Sequence, residues 1–368
     1  MGDRLRIALV EPYLGGSHEA WAQGYRSAAH HYVEIISHPA RFWKWRMHGA
    51  YLTLAAAYRD IVARDGPFDV ILASNMLHVP AFLGAAGGAA SGVATVVYFH
   101  ENQLTYPLSE GETPDDAYAM INWTSAAVAD LVLFNSAFHR DAFFAAAVAL
   151  LRRFPDERHS RFLNDVRERS EVLPVGVDLR RLDGVVPSTI DAPVILWNHR
   201  WEYDKGPGAF AAAMTGLARE GRDFRVVITG ERFVGEPAEF EALRSALGRR
   251  LAHAGYVEDV EYVRLVAAAD IVVSTALQEN FGVAITEAMY VGAFPLLPDR
   301  LVYPERMPPR FHDRCLYADE GLSDGVSWAL DHPKDRASIS ASLRDDMRRF
   351  DWSEMAPRYD DVLARVAR

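Results

Sequence analysis

The sequence contains one cysteine, Cys315, among its 368 residues. A single thiol excludes an internal disulfide framework and a zinc site built from several cysteines, and we expect this residue to be a buried structural thiol. The chain also lacks any run of about 18 consecutive apolar residues, and Glu11 interrupts the first apolar stretch. We therefore expect a soluble, cytoplasmic protein with no stable membrane insertion.

Basic residues are outnumbered by acidic ones, 39 to 50, which makes the formal net charge −11. This balance argues against a protein that binds nucleic acid over its whole surface, so such a partner would have to meet a local basic patch. The chain also has no Asp-x-Asp pair, the usual carboxylate set for a magnesium-held sugar nucleotide. We therefore expect a site that needs no metal.

Short runs of Val, Ile and Leu alternate with longer Ala-rich stretches, the pattern of strands buried on both faces and joined by crossover helices. This pattern predicts an α/β protein with parallel, doubly wound sheets. The predicted strands fall in two series, 5–10, 32–37, 69–73, 94–99 and 131–134, then 194–197, 224–229, 271–275 and 293–297.

Gly and Pro residues break the periodicity between 172 and 193, which predicts a hinge there. We expect an N-terminal acceptor-binding domain at 1–178 and a C-terminal nucleotide-sugar domain at 179–350. The amphipathic segment 351–368 should form a helix that packs back toward the first domain. Because doubly wound sheets bind ligands beyond the carboxyl ends of their strands, we expect two Rossmann-like domains facing across a cleft.

Two cations follow the first strand of the second series. Arg200 and Lys205 lie five residues apart, and Gly206 opens the next helix. Fixed cations beside a helix N-terminus can hold a diphosphate and stabilise its charge as it leaves, in place of a metal.

Two glutamates flank a predicted helix start in the segment 278–289. Glu279 should lie in the loop and Glu287 about two turns into the helix, so that both can line one wall of a site. Between them, the backbone N–H groups of Asn280, Phe281, Gly282 and Val283 could bind a phosphate.

Polar groups also follow strands of the first series. Gly15 and Gly16 should form the first strand-to-helix turn and let the backbone approach a ligand, with Ser17 and His18 at the helix start. A plain tight turn is the alternative. After the fourth strand come four hydrogen-bonding residues that cannot all be buried without partners: His100, Glu101, Asn102 and Gln103. Asn135 and Ser136 follow the fifth strand.

The segment 38–52 interleaves cations with aromatic rings. Its members include Arg41, Trp43, Lys44, Trp45 and Arg46. Such a segment could bind phosphates and stack on bases, lie on an anionic membrane, or form core with solvated charge. Chemistry alone leaves all three open.

The segment 268–297 resembles the signature of the retaining glycosyltransferase family 4, and the motifs at 172–178, 228–231 and 253–257 fall in the same order as in that family. The resemblance implies the GT-B fold. It implies that Arg200 and Lys205 bind the diphosphate, Glu279 the donor sugar and Glu287 the ribose, with Gly230 and Tyr256 near the base. It also implies that His100 lies beside the reacting sugar.

The segments 11–24, 38–50, 98–107 and 198–207 together resemble the tRNA-queuosine mannosyltransferases. That resemblance implies GDP-mannose as donor, with no further cofactor, and queuosine in a tRNA anticodon as acceptor. The resulting prediction is a retaining, metal-independent mannosyltransferase. The alternatives are a GT-B enzyme acting on a lipid or glycan, a sugar-nucleotide epimerase, and a non-catalytic RNA-binding protein.

Overall fold

The computed structural model describes residues 4–107, 115–230 and 238–367. The chain forms two compact units. The first comprises Met1–Val177 together with Trp352–Arg368, and the second comprises Asp178–Asp351. The division after Val177 lies one residue before the end of the predicted first domain.

The first unit is built on a sheet of six parallel strands. The strands are β1 (Arg6–Leu14), β2 (Tyr32–Pro39), β3 (Val70–Ser74), β4 (Ala94–Phe99), β5 (Leu131–Phe134) and β6 (Ser170–Val172). They lie in the order β2-β1-β3-β4-β5-β6. The connecting helices are α1 (Gly16–Ala28), α2 (Trp43–Asp65), α3 (Val79–Ala86), α4 (Asp116–Val128), α5 (Ala137–Leu151) and α6 (Ser160–Glu168).

All five strands predicted for this unit are present. The interior strands are almost entirely buried, and the rings of Phe99, Phe134 and Phe143 lie about 5 Å apart in the core beneath α5. Strand β6 escaped prediction because its three residues are only half-buried at the sheet edge, where no unbroken apolar run is required.

The second unit contains a sheet of the same kind. Its strands are β7 (Val194–Asn198), β8 (Arg225–Thr229), β9 (Leu251–Gly255), β10 (Ile271–Val273), β11 (Phe294–Pro298) and β12 (Leu316–Tyr317), in the order β12-β11-β10-β7-β8-β9. Its helices are α7 (Pro207–Arg219), α8 (Ala238–Leu247), α9 (Asp259–Ala267), α10 (Val283–Val291), α11 (His312–Cys315), α12 (Leu322–Asp331) and α13 (Pro333–Met347). The predicted α/β class with parallel sheets is confirmed.

The last helix, α14 (Trp352–Val366), is part of the first unit. Tyr359 is fully buried; its hydroxyl donates to the carbonyl of Pro174 at 3.0 Å and accepts from the indole N–H of Trp21 at 3.2 Å. The Trp352 ring lies 6.1 Å from that of Tyr25. The apolar stripe of the C-terminal segment is therefore used to bury aromatic rings against α1.

Within these described residues, no helix combines the length and the apolar character that crossing a bilayer requires.

Candidate functional site

At the carboxyl end of β1, a buried carboxylate holds a histidine. Glu11 is fully buried, and its Oε2 lies 2.9 Å from Nδ1 of His18 on the first turn of α1. Its Oε1 accepts the backbone N–H of Tyr13 at 2.8 Å. His18 is 8% exposed, so it is not the surface residue that its position after a turn would suggest, and Glu11 is a site residue that sequence analysis missed.

His100 follows β4 and packs against the same histidine. Its ring centroid lies 4.4 Å from that of His18, 4.6 Å from Trp21 and 4.8 Å from Tyr98. Burial, together with the nearby His18 and His139, holds the pKa of His100 well below its usual range. At neutral pH His100 is therefore an uncharged imidazole that can accept or donate a hydrogen bond.

Amide side chains fix the backbone at His100. Its N–H donates to Oδ1 of Asn75 at 3.1 Å, and its carbonyl accepts from Nδ2 of Asn135 at 2.9 Å. Asn122 donates to the carbonyl of Asn75 at 2.8 Å and accepts from the N–H of Gln103 at 2.7 Å. Sequence analysis singled out Asn135 but missed Asn75, although a polar residue directly after the apolar strand β3 was an available signal.

The remaining members of the 100–103 cluster have different environments. Asn102 is fully buried, and its Oδ1 accepts from the N–H groups of Leu104 and Thr105, each at 3.0 Å. Its side-chain oxygen therefore stabilises the loop turn, whereas its buried Nδ2 has no hydrogen-bond partner among the described residues. Glu101 and Gln103 are half-buried.

Packing also explains why the turn between β1 and α1 contains a glycine. A Cβ atom on Gly15 would lie 2.5 Å from the Cβ of Ala40, so glycine is needed there whether or not a ligand approaches. Gly16 begins α1 and Ser17 is exposed.

The cation and aromatic segment lies at the start of α2. Trp43 packs on Tyr118, with ring centroids 5.2 Å apart, and belongs to a small apolar cluster around Met47. By contrast, Trp45 is 72% exposed and Phe42 is 79% exposed. Arg41 and Lys44 are exposed as well, and Arg46 is half-buried.

In the second unit, Lys205 is held among acceptors. Its Nζ donates to the carbonyl of Gln278 at 2.7 Å and lies 3.2 Å from Asp204 and 3.5 Å from Glu279. Burial disfavours the charged amine, but these two carboxylates raise the pKa of Lys205 above its usual value. Arg200 is near enough for its charge to oppose that shift; its side chain is 45% exposed and lies 3.7 Å from Glu202.

Two buried residues of this loop were missed by sequence analysis. Asp204 is 1% exposed, and its carbonyl accepts from the N–H of Leu277 at 2.7 Å, which ties this loop to the loop after β10. His199 is 6% exposed, and burial together with the charge of Lys205 lowers its pKa to about 3. His199 directly follows strand β7, which was an available signal, and Asp204 immediately precedes the predicted cation Lys205.

Glu279 binds the loop that leads into α10. Its Oε1 accepts the backbone N–H of Gly282 at 3.0 Å and that of Phe281 at 3.4 Å. Although burial opposes ionisation, Lys205 and these backbone donors lower the pKa of Glu279. Of the four N–H groups predicted to bind a phosphate, those of Phe281 and Gly282 therefore already donate to this carboxylate. Val283 is half-buried, and Asn280 is 6% exposed.

Glu287 lies one turn into α10, not two, because that helix begins at Val283. It is 5% exposed. Arg181 donates to its Oε1 at 2.7 Å and the hydroxyl of Tyr262 donates to its Oε2 at 2.5 Å. Both partners were missed by sequence analysis.

Gly230 and Tyr256, the two residues predicted near the base, differ in their surroundings. Gly230 has φ +134°, and a Cβ there would lie 1.9 Å from the carbonyl oxygen of His199, so close approach of two strand ends requires glycine. Tyr256 is 63% exposed. The neighbouring Glu231 of the predicted 228–231 motif lies outside the described residues.

The predicted residues thus form two groups, one in each unit. His18 and His100 are brought together at the carboxyl edge of the first sheet, with Glu11 beside them, and three potential metal-ligating atoms of this trio lie within 4.8 Å of one another. Lys205 and Glu279 come together in the second unit. Every one of these groups lies at the ends of strands, where parallel sheets bind ligands.

Comparison with known families matches both units. Residues 6–177 match the N-terminal domain family of tRNA-queuosine alpha-mannosyltransferases, and residues 185–345 match the group 1 glycosyl transferases. A tRNA-queuosine alpha-mannosyltransferase of Drosophila melanogaster is 35% identical over 97% of this chain and 96% of its own length. A D-inositol 3-phosphate glycosyltransferase of Xylanimonas cellulosilytica is 30% identical over 55% of this chain and 52% of its own length.

Solved structures agree on the fold. A sucrose-phosphate synthase from Thermosynechococcus elongatus superposes with a TM-score of 0.74 at 18% identity, covering 99% of both chains. A glycosyltransferase from Rickettsia africae superposes with a TM-score of 0.69 at 14% identity, also covering 99% of both chains. The predicted GT-B fold is confirmed. The chain is a glycosyltransferase and belongs to the tRNA-queuosine alpha-mannosyltransferase family.

Proposed function

We propose that this enzyme transfers mannose from GDP-mannose to a hydroxyl of queuosine in the anticodon of tRNA, with retention of anomeric configuration and without a metal ion. The near full-length match to the Drosophila mannosyltransferase carries the choice of donor sugar and acceptor. The contacts of the two units support separate parts of the proposal.

The start of α2 supports an RNA acceptor through two exposed rings, Phe42 and Trp45. Phe42 has φ +54°, a left-handed conformation that costs a bulky residue of order 1 kcal/mol or more. Exposed aromatic faces in water are a liability unless a partner covers them, and unpaired bases of an anticodon loop stack on such rings.

The charge around these rings fits the same partner. No acidic residue occurs between Glu34 and Asp60, whereas Arg41, Lys44 and Arg46 lie within that stretch. In a chain of net charge −11, this is the local basic patch that a phosphate backbone requires. A neutral glycan acceptor would not need these cations, whereas an anionic membrane could bind the same rings and cations.

We expect Trp45→Ala to weaken tRNA binding by about ten- to a hundredfold, since stacking of one base contributes ~1–3 kcal/mol. Trp43→Phe is the matched control, because it retains an aromatic ring against Tyr118 in the apolar cluster. Filter binding measures both with the same tRNA. Equal affinity of wild type and Trp45→Ala would contradict the RNA role of this surface.

The donor half of the proposal uses the cations of the second unit. As the bond between C1 of mannose and the phosphate oxygen breaks, its electron pair passes to the diphosphate, whose growing charge Arg200 and Lys205 stabilise. The acceptor oxygen bonds to C1 on the same face, and its proton passes to a diphosphate oxygen. This step needs no base and no covalent intermediate on the protein.

Metal independence is supported by the lack of an Asp-x-Asp pair in the sequence and by Arg200 and Lys205, two cations that could take the place of a metal at the diphosphate. We expect dialysis against EDTA to leave initial rates within about twofold of the untreated enzyme, because fixed cations can stabilise the leaving diphosphate without a metal. Loss of activity that added Mg²⁺, Mn²⁺ or Zn²⁺ restores would show that a metal takes part.

The deciding assay uses radiolabelled GDP-mannose with tRNA that carries queuosine and with the same tRNA carrying guanine at that position. We expect label to enter only the queuosine tRNA. Label in both tRNAs, or in neither, contradicts the acceptor, and label that enters a lipid or glycan instead identifies that rival. Conversion of GDP-mannose to an isomer without any acceptor would indicate an epimerase.

A further inference from the structure

A directed chain of hydrogen bonds ends on Glu287. Thr229 Oγ1 donates to Oδ1 of Asn198 at 2.9 Å, Asn198 Nδ2 donates to the hydroxyl of Tyr262 at 2.8 Å, and that hydroxyl donates to Glu287 Oε2 at 2.5 Å. All four residues lie in the second unit, on β8, β7, α9 and α10. Thr229, Asn198 and Glu287 are at most 5% exposed.

The second oxygen of Glu287 is held by Arg181. Its Nη2 donates to Oε1 at 2.7 Å, and its Nη1 forms an ion pair with Asp259. The guanidinium also lies over the Tyr262 ring, 5.4 Å from the centroid. Arg181 therefore has three neighbours that fix its orientation, and it fixes the carboxylate in turn.

This bonding leaves the Glu287 carboxylate able to accept further hydrogen bonds. A carboxylate has about four lone-pair sites, and each oxygen here receives one donor. Two adjacent hydroxyls of a ligand could donate to the two remaining sites. Because Arg181 and Tyr262 already fix the carboxylate, a ligand would not have to immobilise it, so more of the interaction energy would appear as affinity.

We propose that Arg181 and Tyr262 are positioning residues that orient Glu287 for the two ribose hydroxyls of a nucleoside diphosphate. Tyr262 supplies the donor on one side and Arg181 the cation on the other, and Asn198 with Thr229 fixes the direction of the tyrosine hydroxyl. The inference rests on the proposed function only in requiring a nucleotide donor. It does not depend on mannose or on tRNA.

A purely structural role for the same contacts makes a different prediction. If Arg181 and Tyr262 only hold the helices together, their variants weaken the binding of every nucleotide equally. If Arg181 and Tyr262 position Glu287 for ribose, their variants lose the preference for ribose over deoxyribose. Removal of one ligand hydroxyl therefore distinguishes the two roles.

The experiment measures calorimetric affinities of GDP, 2′-deoxy-GDP and 3′-deoxy-GDP for the full chain. Because a hydrogen bond to a charged group is stronger than one between neutral groups, we expect wild type to bind GDP at least about tenfold more tightly than either deoxy analogue. Tyr262→Phe and Arg181→Lys should reduce that preference to about threefold or less, while folding is checked by thermal unfolding.

The control is Arg225→Lys, which alters a surface arginine paired with Asp191 and Asp223 at the start of β8. It should keep the wild-type preference. A preference that stays at the wild-type value in both Tyr262→Phe and Arg181→Lys overturns the inference, as does an equal loss of affinity for all three nucleotides. If wild type binds UDP in place of GDP, the donor proposal fails, and the same comparison with deoxy-UDP decides this inference.

Discussion

Replacing Lys205 with methionine should lower turnover by about 10²–10³-fold. The amine is a buried cation of the second unit that lies close to Asp204 and Glu279, and loss of one preorganised donor to a developing anion typically has an effect of that size. Methionine keeps much of the aliphatic length, so the loss would report on charge. Turnover is measured with GDP-mannose and tRNA at saturation. Activity near that of wild type would contradict the role of Lys205 at the diphosphate.

A second variant is needed as a control for folding, because two carboxylates lie next to Lys205. Without Lys205, Asp204 and Glu279 would both remain buried beside each other, and an uncompensated buried charge can destabilise a fold by ~3–5 kcal/mol. The double variant Asp204→Asn with Lys205→Met removes one of these negative charges. It should unfold at a higher temperature than Lys205→Met alone while remaining inactive. Recovery of activity in the double variant would show that the single variant failed through folding.

Lowering the pH from 7.5 to 5 should destabilise each unit by about 2 kcal/mol for a buried histidine whose pKa is near 3. In the first unit His100, whose pKa is also held well below its usual range by burial, adds to the effect. Burial lowers the pKa of His139 in the first unit to about 3, and burial with Lys205 lowers that of His199 in the second to about 3. The unfolded chain takes up these protons near pH 6.5. Stability is therefore highest above pH 6.5 and declines between about 6.5 and 3, where only the unfolded state is protonated.

Urea unfolding at several pH values measures this effect. His139→Asn should reduce the pH dependence of the first unit, leaving the part that His100 contributes, and His199→Asn should reduce that of the second, each leaving the other unit unchanged. Both substitutions should lower stability at pH 7.5, so the slope against pH is the relevant quantity. An unchanged slope in His139→Asn would show that this histidine is not the group that takes up the proton.

Secondary structure was largely readable because local pattern and burial agree in the interior strands. The nine predicted strands are all present. Eight of them are largely buried apolar runs, whereas β2 is a half-buried strand at the edge of the first sheet. The strands that escaped prediction, β6, β9 and β12, are short or half-exposed at sheet edges. There the backbone pairs with a neighbour without needing apolar side chains on both faces, so no periodic signal arises.

The sequence by itself determined the α/β class, the approximate place where the chain divides into two units, and the loops that carry Lys205, Glu279 and His100. These follow from local periodicity, from glycine and proline, and from the rule that parallel sheets bind ligands at one edge. It also suggested that the segment 38–52 could meet a ligand, but it could not say which of its rings pack against the fold and which are exposed.

Only the tertiary structure decided which side chains contact one another. Glu11 with His18, and Arg181 with Glu287, are joined by folding and lie 7 and 106 residues apart in the chain. A buried carboxylate needs a donor from whichever element packs beside it, and packing of distant elements is not encoded in any local period. The same reason explains why Trp43 is core while Trp45 is exposed: their difference arises from Tyr118 on another helix.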